Sequence, residues 1–262
     1  MRKIGINLHA MRGLTHEEFL REIASLGASA TFTGVREAKE QAEIARLCEK
    51  YAIECETLHA PFSHINDIWL DCAGGEAMER ELLETVDHCL IAGARIAVVH
   101  LSSGLKPPPV TDLGRARFTR VVDYAAGKGI QIAFENQRFL SNIAWAFESF
   151  PRDVVGFCWD VGHEGCFTPG RRYMPLFGDR LSCTHIQDNM GNFDEDLHLL
   201  PYDGALDFDY VARTIRASGY TGSLMLEGIA SNSHRYDDMP ARAYLARAAA
   251  ALQRLREAID IG

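Results

Sequence analysis

The strongest constraint in this sequence is a pattern that occurs eight times. A short apolar, β-branched run ends in polar residues, and a stretch with helical periodicity follows. The runs are KIGINLH (3–9), ATFTGV (30–35), IECETLH (53–59), RIAVVHL (95–101), QIAFEN (131–136), VVGFCWD (154–160), LSCTHIQ (181–187) and GSLMLEG (222–228). They carry the residues that strands favour and are too short for buried helices. Between them, apolar residues recur at helical spacing: Phe19, Leu20, Ile23 and Leu26; Ile44, Leu47, Cys48 and Tyr51; Leu82, Leu83, Val86, Cys89 and Leu90; Phe118, Val121, Val122 and Ala125. Gly27, Gly93, Gly127 with Gly129, and Gly219 fall just past expected helix ends, where glycine stops a helix. A last helix is expected over about 239–258. The segments after the fifth and sixth strands show the weakest helical period.

Strands that alternate with helices imply a parallel sheet. Eight units in 262 residues fit a closed barrel better than an open doubly wound sheet. An open sheet with a nucleotide site would show a glycine-rich turn after an early strand, and none is present. The expected fold is therefore α/β, a single (β/α)8 TIM barrel, with one domain over 1–262. With 47% hydrophobic and 24% charged residues, the chain can bury a large core. The net charge of -9 disfavours sequence-independent binding to a phosphate backbone, so no nucleic acid partner is expected. No window approaches the roughly 18 to 20 apolar residues of a membrane span. The start, MRKIGINLHA, lacks the apolar run of a signal peptide, and a cytoplasmic protein is expected. Seven cysteines, an odd number without a Cys-x-x-Cys, argue against a disulfide framework or a thiolate zinc site. Oligomeric state is open, a homo-oligomer being compatible with exposed barrel helices.

Chemistry in such a barrel sits at the C-terminal ends of the strands. His9, His59, His100, His163 and His185 fall at or just past such ends. Carboxylates fall there too: Glu135 in IAFEN, Asp160 in FCWDVGH and Glu227 in LMLEG. A carboxylate inside an apolar strand is expensive to bury unless it is paired or bound to a metal. The strands carry almost no basic partner for these three. Glu135, Asp160, His185 and Glu227 close four consecutive strands, so a closed barrel brings them to one mouth. Three carboxylates and one imidazole form a hard, oxygen-rich set, suited to Mn2+, Zn2+, Co2+ or Mg2+.

These segments, with LHAPF (58–62), VVHLSSG (98–104), WDVGH (159–163), THIQDN (184–189) and DLHLLPYDGALDF (196–208), resemble the xylose-isomerase-like barrel superfamily. That group includes sugar-phosphate isomerases and epimerases, inosose dehydratase and endonuclease IV. Most telling is the D-x-x-H of Asp160 and His163, followed by the H-x-x-D of His185 and Asp188. The stretch from His198 to Asp207 is similar to the superfamily's H-x-x-P-G-x-G-x-x-D loop. Pro201 and Gly204 match it, while Tyr202 and Asp203 depart from its glycine-rich form. The resemblance implies Glu135, Asp160, His185 and Glu227 as metal ligands, Glu135 and Glu227 as the acid–base pair, and His163 as a substrate contact. It implies a metal-dependent sugar isomerase or epimerase, working on a small-molecule sugar through a metal-stabilised enediolate. An inosose-type dehydratase would begin with the same proton removal. In some epimerases an arginine after the seventh-strand histidine grips substrate, and Gly191 stands in that region here.

Other mouth residues leave more than one reading open. His59, His100, Asp196 and His198 are candidate substrate contacts or ligands of further metal ions. His59 and His100 could equally be hydrogen-bonded rim residues. With His163 and the central four they offer a candidate for every position of an endonuclease IV-type multi-zinc phosphodiesterase. The mixed charge of the mouth loops argues against a track for DNA phosphates. Phe62, Trp69, Trp145 and Trp159 are candidates for a sugar-stacking wall, and Ser102, Ser103 and Gly104 for a hydroxyl or phosphate contact. Lys106, before Pro107 to Pro109, reads as a solvated rim charge.

Overall fold

A computed structural model of the chain describes residues 2–260. Met1, Ile261 and Gly262, part of the expected domain span, lie outside the described residues. All eight expected strands are present: β1 Ile4–Ile6, β2 Ala30–Gly34, β3 Glu54–His59, β4 Ile96–Val99, β5 Gln131–Glu135, β6 Val155–Asp160, β7 Leu181–His185 and β8 Leu224–Leu226. They form one parallel sheet in the order β7-β6-β5-β4-β3-β2-β1-β8. A parallel bridge between Ile186 and Leu226 joins the two ends and closes the barrel. The fold is a single (β/α)8 TIM barrel.

Each strand is followed by helix. The principal α-helices are α1 His16–Ser25, α2 Ala38–Lys50, α3 Ala73–Ala92, α4 Asp112–Gly127, α5 Leu140–Ser149, α6 Val161–Cys166, α7 Met174–Phe177, α8 Phe208–Ser218 and α9 Ala241–Asp260. The apolar positions read from periodicity are those that pack inward: Phe19, Leu20 and Ile23 of α1, and Ile44, Leu47 and Cys48 of α2, are buried. The N-termini are held as sequence chemistry demands. Thr15 and Glu18 form a capping box on α1, and Thr111 accepts from Gly114 N at the start of α4. Gly93 and Gly219 stop α3 and α8 in the left-handed conformation. Gly127 does not serve this purpose. It is the last residue of α4, and the left-handed turn falls on Gly129, at φ +70°. The unit after β6 departs most from a regular period: its helix is broken into α6 and α7, six and four residues long.

Both faces of the strands are covered, as an α/β barrel requires. Inside, Val98, Ala133, Cys158 and Cys183 form one apolar layer, and Ala30, Phe32 and Met225 another. Outside, the helices bury the large cluster that includes Trp69, Phe118, Phe134, Phe157 and Tyr244. Six of the seven cysteines are buried and all are free thiols; Cys72 is exposed. Among the described residues, no helix is long and apolar enough to cross a membrane. The inner layers fill the barrel below its C-terminal rim, so the polar strand ends above them are the floor of an open cavity.

Candidate metal centre

The cavity at this rim has a volume of about 620 Å³. Its wall includes His9, Phe32, His59, Phe62, His100, Glu135, Gln137, Arg138, His163, Phe167, Asp196, His198 and Glu227. Glu135 and Glu227 line the cavity, and with the fully enclosed Asp160 and His185 each offers one ligand atom, these atoms lying within 4.8 Å of one another. All four are buried, the most accessible being Glu227 at 7%. β5, β6 and β7 end on the first three, and Glu227 follows β8, so adjacent parallel strands fix the spacing.

His185 Nδ1 lies 2.6 Å from Glu135 Oε1 and 3.1 Å from Glu227 Oε2. Glu227 Oε2 makes no hydrogen bond despite its burial, and neither does His185 Nε2. The His185 ring is held instead by stacking on Phe32, with centroids 4.7 Å apart and planes 13° from parallel. A cation bound at about 2.1 Å spreads its donors over no more than about 4.2 Å. The observed spread needs a contraction of only tenths of an ångström. The orphaned carboxylate oxygen and the hard donor set fit a divalent ion.

Two further clusters flank this one. Glu135 Oε2 faces His59 Nε2 at 3.3 Å and His100 Nε2 at 2.5 Å. Asp196 Oδ2 faces His163 Nε2 at 3.3 Å and His198 Nε2 at 2.9 Å. The Nδ1 atoms of His59, His163 and His198 lie 2.8, 3.0 and 2.9 Å from the carbonyls of Ala60, Asn136 and Glu227. A carbonyl only accepts, so each Nδ1 donates and each Nε2 turns to a carboxylate, the tautomer of a metal-ligating histidine. The structure thus gathers into these clusters the nine histidine and carboxylate residues that sequence reading offered as metal or substrate ligands.

Electrostatics show how much negative charge has been gathered. Burial opposes ionisation of Glu135, yet the His185 and His100 imidazoles hold its carboxyl well below the usual range. Glu227 is likewise held low against burial, chiefly by His185. Burial pushes the Asp160 carboxyl well above its usual range; His163 opposes this, and Glu227 and Glu135 add to it. Burial works to depress His185 and His163, but neighbouring carboxylates lift both well above a free imidazole. His198 is lifted to about 9, against burial, mainly by its hydrogen bond to Asp196. These imidazolium protons are the charges that a divalent cation would replace. His9 differs: it is exposed on the cavity wall, and crowding by neighbouring atoms and by Arg36 lowers it below an ordinary imidazole.

Several positioning groups escaped sequence reading because they are neutral amides. Asn136 donates to the Asp160 carbonyl and accepts from its N–H, locking β5 to β6 at the site. Gln187 Nε2 is 3.3 Å from Asp160 Oδ1 and 2.8 Å from Asp196 Oδ1. A Cβ on Gly162 would stand 2.1 Å from the Gln187 side chain, which is why WDVGH has glycine there. Asp160 also caps α6, accepting from His163 N at 2.6 Å. Polar amides at the ends of apolar strands were the available signal. Of the four aromatics proposed for a sugar wall, Phe62 alone lines the cavity. Trp69 and Trp159 are fully buried, and Trp145 packs against Trp69, Phe118 and Phe150, because indoles of this size complete the outer core. Phe32 and Phe167 line the cavity instead. Ser103 reaches the cavity wall, while the Ser102 hydroxyl accepts from Asn142.

This barrel, with acidic and imidazole side chains gathered at its C-terminal rim, is matched by the family model for the xylose isomerase-like TIM barrel over residues 20–258. The chain belongs to that family. A curated relative, the uncharacterized protein y4fM of Sinorhizobium fredii, is 37% identical over 117 residues, which is 42% of this chain and 37% of that protein. Among solved structures, a D-psicose 3-epimerase with D-tagatose from Clostridium cellulolyticum H10 superposes with a TM-score of 0.80 at 12% identity, covering 98% of this chain and 99% of that one. An L-ribulose 3-epimerase gives 0.78 at 15% identity over 100% and 98%. A xylose isomerase domain protein from Alicyclobacillus acidocaldarius gives 0.74 at 18% over 98% of each chain. Identities this low establish a common fold.

Proposed function

We propose that this protein is a divalent-metal-dependent sugar isomerase or epimerase. The observation that carries this reading is the convergence of Glu135 and Glu227 on His185 Nδ1, with Asp160 beside them, at an open cavity that both glutamates line. An ion held by these four would polarise a substrate carbonyl and stabilise the enediolate formed by proton loss. Glu135 and Glu227 are the proton carriers. One carboxylate removes a proton from the carbon beside the carbonyl, and the other returns one from the opposite face, giving an epimer. Return to the neighbouring carbon gives an aldose–ketose isomer, and loss of a β-hydroxyl gives a dehydratase. His59 and His100 lie against the second oxygen of Glu135, and His100 with His185 favours its ionised, basic form. His163, Asp196 and His198 stand along one wall, where they meet substrate hydroxyls. The 3-epimerase structures that share the fold support this substrate class. The test is deuterium uptake from solvent into a panel of ketoses with Mn2+, Co2+, Zn2+ or Mg2+ added. Exchange at one carbon of one ketose is expected, and its absence across the panel would refute the reading.

The two flanking clusters favour a second reading, a multi-metal phosphodiesterase of the endonuclease IV type. Glu135 would bridge two ions, and His163, Asp196 and His198 would hold a third. Such clusters clamp both oxygens of a displacement at phosphorus. Metal content separates the two: one ion per chain goes with the isomerase, and three zincs with cleavage of a phosphodiester go with the hydrolase.

A further inference from the structure

The carboxylates Asp196 and Glu135 of the cavity wall already face imidazoles. Asp196 lies between His163 and His198. Glu135 faces His59, His100 and His185. Among the lining residues Arg138 is the one Arg or Lys. Its guanidinium is hydrogen-bonded to Asp194 Oδ1, Nε to oxygen 2.7 Å, and lies 3.6 Å from the Phe167 ring centroid. A phosphate could use Arg138 only by breaking that pair. The helix that starts beneath the cavity, α6, has its N-terminus occupied by the Asp160 carboxylate. Free backbone N–H groups at a helix start, the usual alternative for a phosphate, are therefore not offered there.

The polar groups left over are an imidazole and two hydroxyl residues. His9 opens onto the cavity with its ring edge-on to Phe32, 5.8 Å between centroids, and neither ring nitrogen has a hydrogen-bond partner among the described residues. The hydroxyls of Ser63 and Ser103 also line the cavity without a partner among those residues. Val35, Phe62, Phe167 and Ile229 add apolar faces suited to the C–H side of a sugar. A wall of this composition hydrogen-bonds hydroxyls, and the one Arg or Lys that lines it is already paired to a carboxylate.

We propose that the pocket selects an uncharged polyhydroxy ketone over its phosphate esters, and that His9 takes one of the ketone's hydroxyl groups. The proposal rests on the isomerase reading above and names its substrate class. It is tested on the full, metal-loaded chain with free metal removed. Thermal unfolding is followed against D-tagatose, D-fructose, their 6-phosphates and inorganic phosphate, with deuterium exchange read in parallel. The free ketoses are expected to stabilise the protein at concentrations at least tenfold below those of the esters. His9→Ala should raise the ketose concentration needed, and KM, by about tenfold with a smaller change in kcat. His9→Asn, which keeps a donor and an acceptor, should restore part of the loss. Equal or tighter binding of an ester, protection by inorganic phosphate at comparable concentrations, or no stabilisation by any ketose overturns the proposal. Unchanged ketose affinity in His9→Ala overturns the role of His9. Ketose binding without exchange would instead sink the isomerase reading and leave the selection of uncharged ligands standing.

Discussion

Both oxygens of Glu135 face imidazoles, Oε1 toward His185 and Oε2 toward His59 and His100, and its side chain is fully buried. Glu227 is less enclosed: its Oε2 lacks a hydrogen bond, while its backbone is held by Ile186 and His198. The difference predicts different outcomes for two isosteric substitutions. Glu227→Gln removes the proton carrier and one of the four candidate ligands, but leaves the three histidines around Glu135 with their carboxylate. Turnover should fall by roughly a thousandfold, within the range for loss of a general acid or base, with an unchanged far-UV circular dichroism spectrum. Glu135→Gln also leaves three histidines without their common carboxylate, so metal content should fall along with activity. Retention of more than a tenth of wild-type exchange by Glu227→Gln would remove that residue from the mechanism. Sequence exposed these residues because a carboxylate in an apolar strand has few inexpensive explanations. It did not expose Asn136 or Gln187, whose neutral amides cost less to bury and are common at strand ends.

The segment between β7 and α8 is the element under most backbone strain. Asp194, His198 and Tyr202 all have positive φ, 63°, 48° and 72°, without being glycine. Each such residue costs on the order of 1 kcal/mol or more, and the strain sits where Asp196 and His198 are presented to the cavity. Tyr202 occupies the place where the related loop has glycine, and its ring compensates by packing on Phe208 and under Arg254. Asp188 holds the loop together, accepting from Asn189 N and Gly204 N at 2.8 Å and from Leu206 N at 3.1 Å. Asp188→Ala would leave these donors unsatisfied, at a cost of about 1–3 kcal/mol in urea unfolding. Limited proteolysis should then cut within 189–207 before the barrel unfolds. A protease-resistant Asp188→Ala would show that the loop is held by other contacts. Strands and long helices were legible because both-face burial and the 3.6 period leave plain patterns in KIGINLH or in Phe19, Leu20 and Ile23. This loop, and α6 with α7, were not, since segments of four to six residues show no period and their shape depends on tertiary hydrogen bonds.

Closure of the barrel gathers four carboxylates and five imidazoles into adjoining ligand clusters, so the charge state of the whole molecule's rim depends on pH and metal together. With the metal stripped, protons on His163, His185 and His198 offset part of the carboxylate charge. His198, raised to about 9 from an ordinary 6.5, contributes stability that is complete below pH 6.5 and is lost as pH rises toward 9. That contribution is at most roughly 3 kcal/mol, and the raised values of His163 and His185 act in the same direction. Metal binding has the opposite dependence. An ion at the central four needs His185 without its Nδ1 proton and Asp160 ionised, and both groups are raised, so binding releases protons and tightens as pH increases, by up to about tenfold per unit for each proton released. The two thermal profiles should therefore diverge. In chelator the Tm should fall between pH 6.5 and 9, whereas with saturating Mn2+ it should hold or rise, because the gain from the ion grows with its affinity. Isothermal titration in buffers of different ionisation enthalpy should show proton release on binding. Parallel profiles with and without metal, or binding that takes up protons, would mean that the imidazolium charges are not what the ion displaces.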